Sequence, residues 1–250
     1  MREEIQFEKY IKKGADYHYR QTDKWNFSGF NPYVLARYEK HVNIVLNYVG
    51  IVNKNGSNPL RVVDFGCGDG VLLHKLAKRL GSTHFEYYGI DLSKEALEIA
   101  KQRLPRASFG QMGVYDSGFE NSFFDIVISS DVIEHVNFPN KMVEEMHRVS
   151  KDNAIIIIGT PIKYTMKPMD LMHFQEFYPE EFRCLMGTKY SPIDLIESHN
   201  LIDYAKYISS RPSRFWFKMK TCLEHNPFMA QRKNSSELFT YMFYIGQKNG

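Results

Sequence analysis

An aspartate and three glycines at alternate positions close an apolar run: Val62-Val63-Asp64-Phe65-Gly66-Cys67-Gly68-Asp69-Gly70. Glycines at this spacing allow positive φ and leave no Cβ in the way, so a ligand can lie against the backbone where a following helix presents unpaired N–H groups. A second carboxylate ends Tyr87-Tyr88-Gly89-Ile90-Asp91, 21 residues after Gly70. That is close to the offset of about 20 at which an acid meets ribose hydroxyls. A nucleotide-like ligand satisfies both features. The dinucleotide fingerprint would need its third glycine at position 71, which is Val71. Beyond Ser129-Ser130 come Asp131, Glu134 and His135, and His173 follows later. On a short turn Asp131 can converge with either Glu134 or His135. An imidazole titrating at about 6.5 suits removal of a hydroxyl proton near neutrality. The plainer role for Glu134-His135 is to order its own loop by hydrogen bonding.

Such groups need a scaffold of alternating elements. Segments 61–65, 85–90, 107–112, 124–129 and 154–159 read as strands, and 70–80, 93–103 and 139–149 as helices. Alternation predicts a parallel α/β sheet covered on both faces, with ligands beyond the carboxyl ends of its strands. Val34, Leu35, Tyr38, Val42, Val45, Leu46 and Val49 predict a further helix over Pro32–Val52, and Asn53 to Pro59 a turn-rich connector. Asp203–Ser209 and Leu238–Gly246 read as strands joined by a long connection. The expected organisation is a helical arm or cap over 1–56 and one globular domain over 57–250. That domain carries a lid insertion at about 162–200 and another insertion at about 210–236.

Composition narrows the class. With 250 residues, 43% hydrophobic and 24% charged, the chain can bury one substantial core. No run approaches the roughly 18 apolar residues of a membrane span, and Met1 to Lys13 is too charged for a secretory signal, which predicts a cytoplasmic protein. Cys67, Cys184 and Cys222 form no C-x-x-C pair, against a zinc knuckle or a disulfide framework. A net charge of +3 does not point to a nucleic-acid partner, and a monomer or homodimer is expected. Aromatic groups cluster in Tyr17, His18, Tyr19, Trp25 and Phe27, and again with methionines in Tyr164, Met166, Met169, Met172, Phe174 and Tyr178. They read as an apolar lid or as helix packing. The basic and aromatic stretch Arg211–Lys220 could meet phosphate, a nucleic acid or another subunit, or form a buried connector.

The glycine turn resembles the D-x-G-C-G-x-G motif of the class I S-adenosylmethionine (SAM) methyltransferases. Gly89-Ile90-Asp91-Leu92-Ser93 is similar to that family's ribose motif, and Phe124-Asp125-Ile126-Val127 through Val132-Ile133-Glu134-His135-Val136 to its fourth strand. The resemblance runs from the turn to about residue 200. It implies a Rossmann-like doubly wound sheet, mostly parallel with an antiparallel C-terminal strand, plus a helical arm and lid insertions. It also implies SAM as cofactor, and methyl transfer to an oxygen, less readily a nitrogen, of a small molecule or glycan. Carried over residue by residue, Asp64, Gly66, Cys67, Gly68 and Gly70 would hold the methionine end, Asp91 the ribose and Leu92 the adenine, with Ser130 beside the methyl donor. Arg37 looks like the arginine that reaches the SAM carboxylate in ubiquinone-pathway O-methyltransferases. Gly113, followed by Val114, stands where the family often has an adenine-binding aspartate, so the adenine amino group would turn to a carbonyl, a water or Asp116. His135, His173 and Glu134 are the catalytic candidates, and no metal ligand is assigned. Two other functions stay open. Asp131, Glu134, His135 and His173 resemble the metal set of small-RNA 2′-O-methyltransferases, and a SAM-binding regulatory protein without catalysis would keep the same motifs.

Overall fold

A computed structural model describes residues 13–52, 59–166, 168, 170, 172–229 and 237–249. The connector at 53–58 and Met169 lie outside the described residues. Helices α1 (Tyr17–Thr22) and α2 (Pro32–Val52) precede the alternating core. The core runs β1 (Leu60–Phe65), α3 (Val71–Leu80), β2 (Phe85–Asp91), α4 (Lys94–Arg103), β3 (Ser108–Gln111), β4 (Phe124–Ser130), α5 (Pro139–Val149) and β5 (Ser150–Pro161). It closes with α6 (Pro179–Gly187), β6 (Ser191–Asn200), α7 (Leu201–Ser209), α8 (Arg211–Cys222) and β7 (Phe239–Gln247).

The strands form one seven-stranded sheet in the order β3-β2-β1-β4-β5-β7-β6. All pairings from β3 to β5 are parallel, and β7 runs antiparallel to both β5 and β6. This is the doubly wound sheet with an antiparallel C-terminal strand. Both faces are covered, so strand neighbours split between two cores: Val62, Ile155 and Ile157 pack with α2 and α3, while Val63, Ile156 and Ile158 pack with α5 and α6. Sheet order reverses between β1 and β4, and at such a switch point the loops leaving the strands diverge and open a crevice.

One element departs from its expected type. Asp203–Ser209 is helical, within α7, and the strand that pairs with β7 is β6 at 191–200. The Asn200 side chain caps α7 by accepting from the backbone N–H groups of Ile202 and Asp203 at 2.9 and 3.2 Å. Asp203 and Tyr207, four residues apart, supply its buried face. A side-chain cap and an i, i+4 stripe outweigh the strand propensity of isoleucine and tyrosine here. Pro192 stands near the start of β6, an edge strand, the setting in which a sheet accommodates proline.

Candidate active site

The crevice at the switch point is lined by residues from seven segments. The glycine turn gives Gly66, Cys67 and Gly68, the end of β2 gives Asp91, Leu92 and Ser93, and the stretch after β3 gives Met112 and Val114. The end of β4 gives Ser130, Asp131, Val132, His135 and Val136. His18, Tyr38, Met172 and Phe174 close it from outside the parallel core. Of the residues singled out from sequence, Gly66, Cys67, Gly68, Asp91, Leu92, Val114, Ser130 and His135 meet here. Arg37, Asp64, Gly70, Gly113, Glu134 and His173 are not on the lining.

Each strand end fixes its side chain for a local reason. Gly66 adopts φ +77°, and a Cβ there would sit 2.4 Å from Val132 Cγ2, so the turn can only be made without a side chain. Gly70, at φ +73°, starts α3 against Ala100. Four of the turn's five N–H groups, expected to await a ligand, are engaged within the protein. Gly66 and Cys67 donate to the Ile90 carbonyl at 2.8 and 2.9 Å, Gly68 to Asp91 Oδ2 at 2.9 Å and Gly70 to the Cys67 carbonyl at 3.0 Å. Tight pairing of β1 with β2 draws them inward. The turn therefore offers room more than donors, which suits a phosphate poorly.

Three carboxylates surround the turn. Asp91 also accepts from Ser93 N at 2.8 Å through Oδ1, and a carboxylate with about four lone-pair sites keeps capacity for two hydroxyls. Burial raises its pKa. Asp64 is buried in β1, with Oδ1 lacking a hydrogen-bond partner among the described residues; burial, then the Asp91 charge, push it up to about 8. Asp69 is fully buried and anchors the arm, accepting the Tyr19 N–H at 2.8 Å. Burial raises it to about 6 against the nearby Arg103 guanidinium, which also donates to the Asp69 carbonyl.

The far wall is built on Asp131, at φ +57°, a strained backbone for a residue with a side chain. Its carboxylate pairs with Arg37, whose guanidinium lies 5.2 Å from the ring centroids of both Tyr33 and Tyr241. Burial is the largest influence and opposes that charge, but Asp131 together with Tyr241, Tyr33 and Tyr38 outweighs it and holds the Arg37 pKa above its ordinary value. Beyond Asp131, the rings of His135 and His173 meet edge to face at 4.8 Å. His135 Nδ1 is 3.0 Å from the Met172 carbonyl and His173 Nδ1 is 2.7 Å from Glu176 Oε1. Both partners accept, so each imidazole donates through Nδ1. Glu134 accepts from Thr160 Oγ1 at 3.0 Å through Oε2, while its buried Oε1 has no partner among the described residues. Burial, then Asp131, raise the Glu134 pKa. Glu134, His135 and His173 each offer one ligand atom, all within 4.8 Å of one another.

A family model described as a methyltransferase domain matches residues 57–226. The chain belongs to the class I SAM-dependent methyltransferases. Among curated relatives of this methyltransferase, a ubiquinone biosynthesis O-methyltransferase from Colwellia psychrerythraea is 28% identical over 148 residues, covering 54% of this chain and 58% of that one. An ajmaline N-methyltransferase from Rauvolfia serpentina is 31% identical over 133 residues, 51% of this chain and 43% of that one. The chain thus spans about half the length of the curated relatives it matches. A solved structure of a putative sarcosine dimethylglycine methyltransferase from Galdieria sulphuraria superposes with a TM-score of 0.62 at 14% identity, covering 98% of each chain, which is likeness of fold.

SAM is the cofactor of this methyltransferase, and the crevice fits it. An orphaned buried carboxyl at Asp64, a cradle that a Cβ at position 66 would fill and a carboxylate at the end of β2 together match a cationic, ribose-bearing ligand. Tyr38 was legible only as part of a helical apolar face, yet its hydroxyl lies 3.3 Å from His18 Nδ1 at the crevice wall. Met112 and Val132 carry no sequence signal beyond their neighbourhood to the motifs.

Proposed function

We propose that this methyltransferase methylates a hydroxyl oxygen of a small molecule. Asp91 takes the ribose hydroxyls, and Leu92, Met112 and Val114 flank the adenine in place of the acid that Gly113 lacks. The turn from Gly66 to Gly70, with Asp64, receives the amino-acid end, and Arg37 its carboxylate by exchange with Asp131. Ser130 borders the donor. When bound, SAM supplies an electrophilic methyl group on a sulfonium.

The observation that carries the reading is the pair of imidazoles, each anchored through Nδ1 on an acceptor oxygen. His135 then takes the acceptor's hydroxyl proton on Nε2, and His173, oriented by Glu176, receives it in turn or serves as the base itself. Met172, Phe174 and Val136 keep water from this end, which favours dispersal of the sulfonium charge. Relatives named for both O- and N-methylation make an amine the competing acceptor. Hydroxylated aromatics and matched amines, offered with SAM and resolved by mass spectrometry, decide between them. Methyl ethers are expected; methylated amines alone would overturn the oxygen reading, and SAM binding without turnover on any acceptor would favour a regulatory role.

The cluster of Glu134, His135 and His173 supports a second version, in which these residues hold a divalent cation that acidifies the attacked hydroxyl. Activity lost to a chelator and restored by Mg²⁺ would select it; activity indifferent to chelation would leave the histidines as bases.

A further inference from the structure

The apolar surface of α8 is turned outward. Phe217 and Thr221 form its buried row, and opposite to them Phe215, Trp216, Met219 and Leu223, the residue that follows the helix, are 57, 49, 40 and 65% exposed. Positions 215, 219 and 223 recur every four residues and make one continuous stripe. Cations border it on both sides: Arg211, Arg214 and Lys218 along one edge and Lys220 along the other. The 12 residues of α8 include four basic side chains and no acid, against +3 for the whole chain. Lys220 Nζ stands 4.0 Å from the Trp216 ring centroid. The patch extends onto the N-terminal arm, where Lys218 Nζ donates to the Phe27 carbonyl at 2.7 Å and Phe27 meets Phe215 at 5.6 Å. Two residues before Phe27, Trp25 is 96% exposed.

We infer that this face docks on the surface of an anionic lipid bilayer. An apolar stripe with tryptophan at its border and lysines and arginines alongside lies in the plane of the headgroups, burying its rings at the acyl boundary while the cations meet phosphates. The charge pattern decides among occupants. A second copy of this chain, docked face to face, would set four unneutralised cations against four more. Single-stranded nucleic acid would use the aromatic rings but would gain nothing from Met219 and Leu223, which cannot stack as platforms. No helix among the described residues is long and apolar enough to cross a membrane, so the contact is peripheral. The arm also links the two surfaces, since His18 lines the crevice while Phe27 rests on α8.

Trp216, one of the chain's two tryptophans, lies in this patch, so intrinsic fluorescence reports on it directly. The test titrates the protein with vesicles of phosphatidylcholine containing about one-third phosphatidylglycerol, and with pure phosphatidylcholine, following emission and co-sedimentation. A blue shift and co-sedimentation are expected with the anionic vesicles only, weakened by salt. Each cation at such a surface contributes about fivefold, so Arg211→Gln, Arg214→Gln and Lys220→Gln together should lower partitioning on the order of a hundredfold. Phe215→Ser with Met219→Ser should abolish the shift of Trp216 while leaving the fold intact by circular dichroism. Absence of vesicle binding would overturn the inference, as would binding indifferent to these substitutions. So would a dimer that they dissociate in sedimentation velocity, or tighter binding to poly(U) than to vesicles.

Discussion

The two halves of the crevice are made in different ways. The cofactor half consists of strand ends and the turns leaving them, held by backbone bonds such as Gly66 and Cys67 to Ile90. The acceptor half is assembled from distant pieces: His18 on α1, Tyr38 on α2, His135 after β4, and Met172 and Phe174 after β5. The first half is dictated by residues next to one another in the chain, the second by packing between elements. In the proposed reading most cofactor contacts, Arg37 of α2 excepted, are thus built into the sheet itself, while acceptor recognition is hung upon it.

Substitutions should separate the halves. The largest effect is expected for Asp91→Ala, which removes a carboxylate holding Gly68 and Ser93 and, as proposed, the ribose. SAM affinity should fall on the order of a thousandfold by calorimetry. An unchanged affinity would break the assignment of that half. His135→Ala with His173→Ala should lower kcat on the order of a hundredfold while leaving the SAM Kd within about twofold. A matching loss of SAM affinity would mean that the halves are not separable.

Asp64→Asn gives a smaller, pH-dependent effect. A cation bound nearby favours the carboxylate, so SAM binding should release a proton and affinity should rise with pH until about 8, the value burial gives Asp64 in the free protein. Calorimetry at pH 7 in buffers of different ionisation heat measures that release, and Asp64→Asn should flatten it, about a tenfold effect across one pH unit. The folding contribution has the opposite sense. Because the folded value lies above the ordinary 3.8, the stability associated with protonated Asp64 is lost as pH rises towards about 8, and the variant's melting temperature should vary less over that range. Smallest of all, Tyr38→Phe removes one hydroxyl facing His18 and should raise the acceptor KM less than about fivefold, with SAM binding unchanged.

The same division explains what the sequence reveals. Helices α2 and α5 fall within the expected bounds, and β1, β2, β4 and β5 lie where apolar runs stand between turn residues, because each is specified by its own residues. The turn was legible for its space and misleading for its donors, since strand pairing, not composition, determines where an N–H group is spent. Position 203 looks like strand if propensity alone is weighed; the cap from Asn200 that makes it helix was present in the sequence. Tyr38 was visible only as one apolar position among seven, because its place on the crevice depends on how α2 crosses the sheet. Arg37 shows the same limit, as its pairing with Asp131 joins residues 94 apart in the chain.

Helix α2 lies outside the stretch that the family model matches, yet nine of its residues are buried, and Val34, Tyr38, Val42 and Val45 cover Val62, Ile126, Ile157 and Tyr241. A protein trimmed to begin at residue 57 would therefore bare the part of that face which α3 does not cover, and is expected to precipitate rather than bind cofactor. Grafting experiments that exchange acceptor specificity between relatives must carry this helix along with the recipient's strands. The boundary visible in family likeness is, for this molecule, not a place where the chain can be divided.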